Sequence, residues 1–293
     1  EFVMQQAVTG RQLAQGQGFT TLVNYPQTYA VLKAQGVPFD EKKPYPELHH
    51  APLYSLVLAA GFVLLPESAW QSKPAPPGGR WTPDGWGPDY MILAINLVLF
   101  WVGVWLVWRL AKKLFDSRAA WLATLATVGS VPLWQQTIAL TGLPLFVVLL
   151  LAVFNVLADL EDRLAEPPHF SLRLALRAGG LGALAGLVFL TEYSGGLVAV
   201  VLAGYFAWRF HGAVRIRVLA VFAAIFLLLV APWLGRNLLV SGHPLGLAWQ
   251  NLALKAGDPT AEPAAQRNLA TVEAPTFSLN KLGNKGLTGM ELN

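Results

Sequence analysis

Between residues 89 and 233 the chain is a succession of apolar runs, most of them close to the roughly 20 residues that an α-helix needs to cross a hydrocarbon core. The runs fall at 89–109, 118–137, 141–158, 174–191, 195–209 and 216–233, and the fifth is short. Backbone N–H and C=O groups cannot go unpaired in lipid, so runs of this kind are helices. Charged residues make up 13% of the chain, against about 25% in a soluble domain. The expected fold class is all-α and polytopic, with about six transmembrane helices.

Basic residues give the orientation. The connections after the first, third and fifth runs carry Arg109, Lys112, Lys113 and Arg118; Arg163, Arg173 and Arg177; and Arg209, Arg215 and Arg217. The alternate connections, 134–142 and 192–195, carry no Lys or Arg. By the positive-inside rule the basic connections are cytoplasmic. The turn at Glu192 and the segment after Trp233 then lie outside. Trp108, Trp121 and Trp208 near one set of run ends, and Trp134 and Trp233 near the other, suit the headgroup level.

A seventh apolar stretch, 52–65, is too short to span and sits between Pro52 and Pro66. It reads as an interfacial or re-entrant helix; a thin seventh span is the alternative. Three regions result. Residues 1–88 form an extracytoplasmic first loop with the juxtamembrane helix 52–65. Residues 89–233 form the transmembrane domain, and 234–293 an extracytoplasmic polar segment. Glu1 is not an initiator Met and the chain closes in a polar run, so both ends read as cut.

The chain has no cysteine, which excludes thiolate chemistry, disulfides and Cys-ligated zinc. Its net charge of +4 is mild, and basic residues in such a protein mark the cytoplasmic side rather than a nucleic-acid partner. There is no phosphate-binding Gly loop, nucleophile elbow or paired-His zinc motif. Gly182 and Gly186 make a GxxxG within an apolar run, a helix-packing signature. No cofactor and no metal are expected.

The unusual polar residues gather on the predicted outer side. Glu192 interrupts two apolar runs and reads either as a site residue or as a wetted turn. His49 and His50 stand at the start of the 52–65 helix, where free N–H groups favour an anion; interfacial histidines are the plain alternative. Asp40, Glu41 and Glu47 precede them and read as a solvated loop. Arg236 stands at the outer interface, against the positive-inside bias. It could grip a phosphate or merely snorkel to lipid headgroups.

Several segments together resemble one family, the bacterial family-39 glycosyltransferases of the GT-C class, related to protein O-mannosyltransferases and aminoarabinose transferases. His50-Ala51-Pro52-Leu53-Tyr54 followed by SLVLAAGF resembles the family's H/K-P-P-L-Y motif and juxtamembrane helix. RQLAQGQGF (11–19) resembles the run after its first-loop acids. LTEYSGGL resembles a turn of the form L-T-K-Y/P-x-G-L, and APWLGRNLLVSGHPLG resembles A-P-W-x-x-R-N-x-x-x-x-G. Ala51 replaces the first Pro, and Glu192 replaces a basic residue. The resemblance spans roughly residues 1–246.

It implies a GT-C fold truncated at both ends and a polyprenyl-phosphate sugar as donor. A first-loop carboxylate would activate an unknown acceptor, with inversion at the anomeric carbon. Carried over by position, Glu1 is the catalytic acid residue of that loop. His50, Tyr54, Arg236 and Asn237 would bind the donor's lipid phosphate, and His49, Glu192 and Tyr193 would line the cavity. The setting implied is a bacterial inner membrane, with the site extracytoplasmic and membrane lipids as further partners. A transporter or flippase would instead need polar residues deep in the spans, of which Asn96 and Asn155 are the clearest. A noncatalytic membrane subunit would use the outer loops to hold a partner.

Overall fold

The computed structural model describes residues 5–22, 28, 32–33, 43–65, 87–164 and 169–248. The chain divides into two units, residues 1–23 with 44–248 and residues 24–43 with 249–293. The fold described is that of the first. Its elements are α1 (Gln5–Ala14), β1 (Thr20–Thr21), β2 (Tyr45–Pro46), α2 (Leu53–Leu64), α3 (Gly87–Leu114), α4 (Ser117–Val128), α5 (Val131–Ile138), α6 (Leu143–Glu161), α7 (Leu172–Thr191), a 3-10 turn (Tyr193–Gly195), α8 (Gly196–Arg209) and α9 (Gly212–Ser241).

Four of these, α3, α6, α7 and α9, are long and apolar enough to cross a membrane. Large side chains such as Trp101, Trp105, Val200, Leu228 and Leu239 point away from the protein. A protein surrounded by water would not present so much contiguous apolar surface. The chain is therefore a helical, membrane-embedded protein.

The other two predicted spans have a different local form. Residues 118–137 fold as two helices, broken where Gly129 ends α4 and Pro132 occupies the first turn of α5. Pro lacks an N–H and suits only that first turn. Residues 195–209 give α8, at 14 residues shorter than a full span.

Contacts at both ends fix the directions. Asn96 of α3 donates to the carbonyls of Thr137 and Thr141, just before α6. At the other end Arg109 and Lys113 pair with Asp159, and Lys113 also with Asp162. Helices α3 and α6 therefore run parallel, and α4 with α5 carries the chain back between them. Tyr205 and Arg209 of α8 reach Glu161, so α8 ends level with α6. The ion pairs of Arg109, Lys113 and Arg209 gather at this Glu161 end of the bundle.

The caps explain several boundaries. The Asp116 carboxylate accepts from the Ala119 N–H at 2.7 Å and the Ser171 hydroxyl from the Leu174 N–H at 3.3 Å, as N-caps do. Leu65, which precedes Pro66, turns extended and stops α2. Helix α9 corrects the sequence expectation. Pro232 lies inside it, and the helix runs on to Ser241, eight residues past the expected end at Trp233. Gly242, at φ 76°, provides the left-handed stop. Arg236 and Asn237 are thus helical residues, not part of a polar tail.

One core packs α6, α7, α8 and α9 around Leu181, Ala185, Val188, Phe206 and Phe222. A second joins α1, α2, α3 and α6 through Ala7, Tyr54, Leu58, Phe62, Ile92 and Leu145. The predicted glycine seam is where α7 meets α9: a Cβ at Gly182 would stand 2.4 Å from the Phe222 carbonyl oxygen. Trp134 and Trp233 both have partners for their indole N–H groups within the protein. Trp134 donates to the Val128 carbonyl at 2.7 Å and Trp233 to the Tyr193 hydroxyl at 2.8 Å.

Candidate functional site

The end of the bundle opposite Glu161 is organised by Glu47. The strands β1 and β2 pair antiparallel, Thr20 with Pro46 and Thr21 with Tyr45. The Glu47 N–H then donates to the Phe19 carbonyl at 3.0 Å. This register turns the Glu47 side chain inward, where it is 2% exposed. One carboxylate oxygen accepts from the His49 N–H (2.7 Å) and the His50 N–H (3.2 Å) and lies 3.3 Å from His50 Nδ1. The other accepts from the Thr9 hydroxyl at 3.4 Å.

Burial by itself pushes the Glu47 carboxyl up. The hydrogen bond from His50, the charge that ring can carry and the His49 N–H outweigh it, and hold Glu47 below the usual carboxylate range. The neighbouring His49 is driven down to about 4, because burial disfavours the imidazolium. Glu47 is therefore no solvated loop residue, as its sequence context suggests; it is the anchor of the loop. Asp40 and Glu41 lie outside the described residues.

Helix α9 holds the same loop from the other side. Arg236 Nη1 donates to the Glu47 carbonyl at 2.9 Å and to Asn237 Oδ1 at 3.0 Å, and Nη2 to the Phe19 carbonyl at 2.8 Å. Its guanidinium lies 4.7 Å from the Trp233 ring centroid, a cation–π stack. The fork is thus spent on two backbone carbonyls, so Arg236 clamps the loop rather than snorkelling. The Tyr193 hydroxyl collects the Trp233 indole N–H, the Asn237 amide at 3.3 Å and, as donor, the His50 carbonyl at 3.4 Å. Past the helix, the Leu247 N–H donates to the Leu48 carbonyl at 2.8 Å. Gly246 permits that approach: its φ is 61°, and a Cβ there would stand 2.4 Å from the same oxygen.

Beside this knot opens a cavity of about 420 Å³. His50 and Glu192 line it together with Gln6, Gln136, Thr141, Ser194, Leu143 and Phe146. No Lys or Arg lines it among the described residues. Glu192 is exposed there, and it caps α7 with extended backbone, φ −150°.

The structure brings His50 and Glu192 to one cavity, and Tyr193, Arg236 and Asn237 to the knot that fixes its His50 wall. His49 contributes its backbone N–H to Glu47. Tyr54 goes elsewhere: its hydroxyl donates to Asn96 Oδ1 at 2.9 Å inside the bundle, and it is fully buried. Its phenol is enclosed beside Asn96 and Gly142 and does not line the cavity, apart from the phosphate-binding residues with which the resemblance groups it. Glu1 lies outside the described residues. Glu47 is the residue that sequence reasoning missed; its one signal is a carboxylate two and three residues before a His pair at a helix start. Among the described residues no three metal-ligating side chains stand together.

Asn96 and Asn155 are taken up by packing. Asn96 serves Tyr54 and two carbonyls, and Asn155 donates to the Leu106 and Leu151 carbonyls at 3.2 and 2.9 Å. No family model, curated protein or solved structure matches the chain.

Proposed function

We propose that the protein is a GT-C-type glycosyltransferase that moves a sugar from a polyprenyl-phosphate donor to an acceptor hydroxyl. The observation that carries the reading is convergence. Segments that resemble three separate family motifs are hydrogen-bonded to one another beside one cavity. Tyr193 reaches His50 across 143 residues of sequence, and Arg236 reaches Glu47 across 189.

The cavity, within the range of small-molecule sites, takes the sugar through its amides, hydroxyls and Glu192. The polyprenyl chain lies along the apolar outer faces of the helices. In the transfer the acceptor oxygen attacks the anomeric carbon, a base takes its proton, and the bond from that carbon to the phosphate oxygen breaks. Attack from the face opposite the phosphate inverts the centre. The leaving phosphate gains charge, and the site must stabilise it. With the basic connections cytoplasmic, the cavity opens on the extracytoplasmic side, in a bacterial case that of the inner membrane. The transporter reading is weaker, because the two asparagines it would use are committed to helix packing.

The test uses membranes containing the full-length protein and a panel of radiolabelled polyprenyl-phosphate sugars. Wild-type transfer that His50→Ala abolishes, at unchanged protein level, supports the reading. Absence of transfer from every donor rejects it.

A further inference from the structure

We infer that the cavity is a hydrated recess in the outer leaflet, about 6–10 Å below the outer edge of the hydrocarbon, and that α2 beside it is embedded in lipid. The outer edge of α2 then meets the hydrocarbon chains of that leaflet. The sequence leaves α2 interfacial or re-entrant, and the contacts along α3 favour the second. The inference stands on helix geometry and holds whichever group the cavity binds.

Helix rise sets the depth. Arg109, Lys113 and Arg209 pair with Asp159, Asp162 and Glu161 in a charged belt at one end of the bundle. Trp108, under the Lys112 ammonium at 4.7 Å, and the exposed Trp208 stand at the same level. Ion pairs and Trp together mark the inner edge of the hydrocarbon. At 1.5 Å per residue, Asn96 lies about 20 Å above Arg109 along α3, Leu143 about 24 Å above Asp159 along α6, and Gly196 about 20 Å above Arg209 along α8. Leu143 lines the cavity, and Gly196 follows the turn that brings Glu192 and Ser194 to it. Tilt only lowers these heights. The hydrocarbon core is about 30 Å thick, so the cavity stops short of its outer edge.

Helix α2 lies at the same depth. Tyr54, in its first turn, bonds Asn96. A Cβ on Gly61 would stand 2.8 Å from Met91 Sδ and 3.0 Å from Ile95 Cδ1, residues about 27 and 21 Å above Arg109 along α3. No residue of α2 is charged, and Leu56, Val63 and Leu64 are 43%, 68% and 86% exposed. A helix lying among headgroups presents a charged or polar face outward; the exposed residues of α2 are all apolar. The cavity is the opposite. Glu192, Gln136 and Ser194 are exposed in it, and a carboxylate at hydrocarbon depth is costly unless water reaches it. A wet recess bounded by lipid suits the polar head of an amphiphile, whose chains stay in the leaflet beside α2.

The experiment uses the full-length protein in nanodiscs of phosphatidylcholine and phosphatidylglycerol. Residues 1–293 hold no cysteine, so Leu56→Cys and Val63→Cys each give one defined site there for a nitroxide label. Collision with oxygen and with a water-soluble nickel chelate, calibrated by lipids labelled along their chains, gives the depth. Both labels should meet oxygen more often than nickel, and the Leu56 label should read about 6–10 Å below the outer hydrocarbon edge. In parallel, Ser194→Cys should react with a small, charged, membrane-impermeant thiosulfonate, and Leu56→Cys should resist it. All three positions are exposed, so the substitutions spare the core.

A Leu56 label that meets nickel more often than oxygen, or that reads level with the headgroups, overturns the embedding of α2. A Ser194→Cys thiol that the reagent never reaches, in protein whose Leu56 label reads as expected, overturns the hydrated recess.

Discussion

Two neighbouring glycines of α7 should respond to the same substitution in opposite directions. At Gly182 a Cβ would stand 2.4 Å from the Phe222 carbonyl oxygen and 3.2 Å from its carbon. Those atoms are backbone, so no side-chain rotation relieves the clash. Regaining ordinary contact requires α7 and α9 to part locally by about 1 Å. Prising open a packed seam of this kind costs about 1–3 kcal/mol. At Gly180 a Cβ meets nothing within 4 Å. There Gly→Ala only removes backbone freedom from the unfolded chain, a gain of about 0.5–1 kcal/mol. Thermal unfolding of Gly182→Ala and Gly180→Ala in one detergent should therefore place them on either side of wild type. At about 2–4 °C per kcal/mol for a domain of this size, the gap between them is about 3–16 °C. Equal melting temperatures, or a stabilised Gly182→Ala, would refute the reasoning that the α7–α9 interface depends on backbone contact.

Further outcomes follow from the knot. Arg236→Lys keeps the charge but cannot serve two carbonyls with a planar fork; it should cost about 1–3 kcal/mol, measured as faster protease cleavage within residues 43–52. Tyr193→Phe leaves the Trp233 and Asn237 donors without their shared acceptor, and both residues are buried. A loss of about 1–3 kcal/mol is expected from the melting curve. His49 gives a pH dependence. Its pKa falls from 6.5 unfolded to about 4 folded, so between those values the unfolded chain binds more protons and stability drops as pH falls. His49→Gln should flatten that part of the stability–pH curve, and an unchanged slope would exclude His49 as its source.

The long helices were legible because lipid imposes a length and an apolar composition that can be counted. What could not be counted was the local form of the crossing. Gly129, Ser130 and Pro132 break one predicted span into α4 and α5, yet the chain still returns between the parallel α3 and α6. Pro232 has the look of a terminator in sequence, but its place inside α9 is tolerated and the stop waits for Gly242. At the site, His50, Glu192, Tyr193, Arg236 and Asn237 were legible as polar interruptions of apolar sequence. Glu47 was not, because a carboxylate flanked by prolines and lysines has the composition of a wet loop. Only the β1–β2 register, which depends on residues some 25 positions earlier, turns it inward. Tyr54 misled for the opposite reason: its place in a motif-like string says nothing about which side of α2 it occupies.

The clasp on the Leu48 loop has a consequence for biosynthesis. The loop is made early, but Arg236 follows Glu47 by 189 residues, and the Leu247 N–H that closes on Leu48 comes later still. At ordinary synthesis rates that interval is on the order of 10–40 s. During it, the Glu47 carboxylate and its two histidines sit on a half-built frame, without the clamp from α9. The cavity is thus among the last parts of the molecule to mature, and a chain released before residue 247 would insert its helices without completing its site.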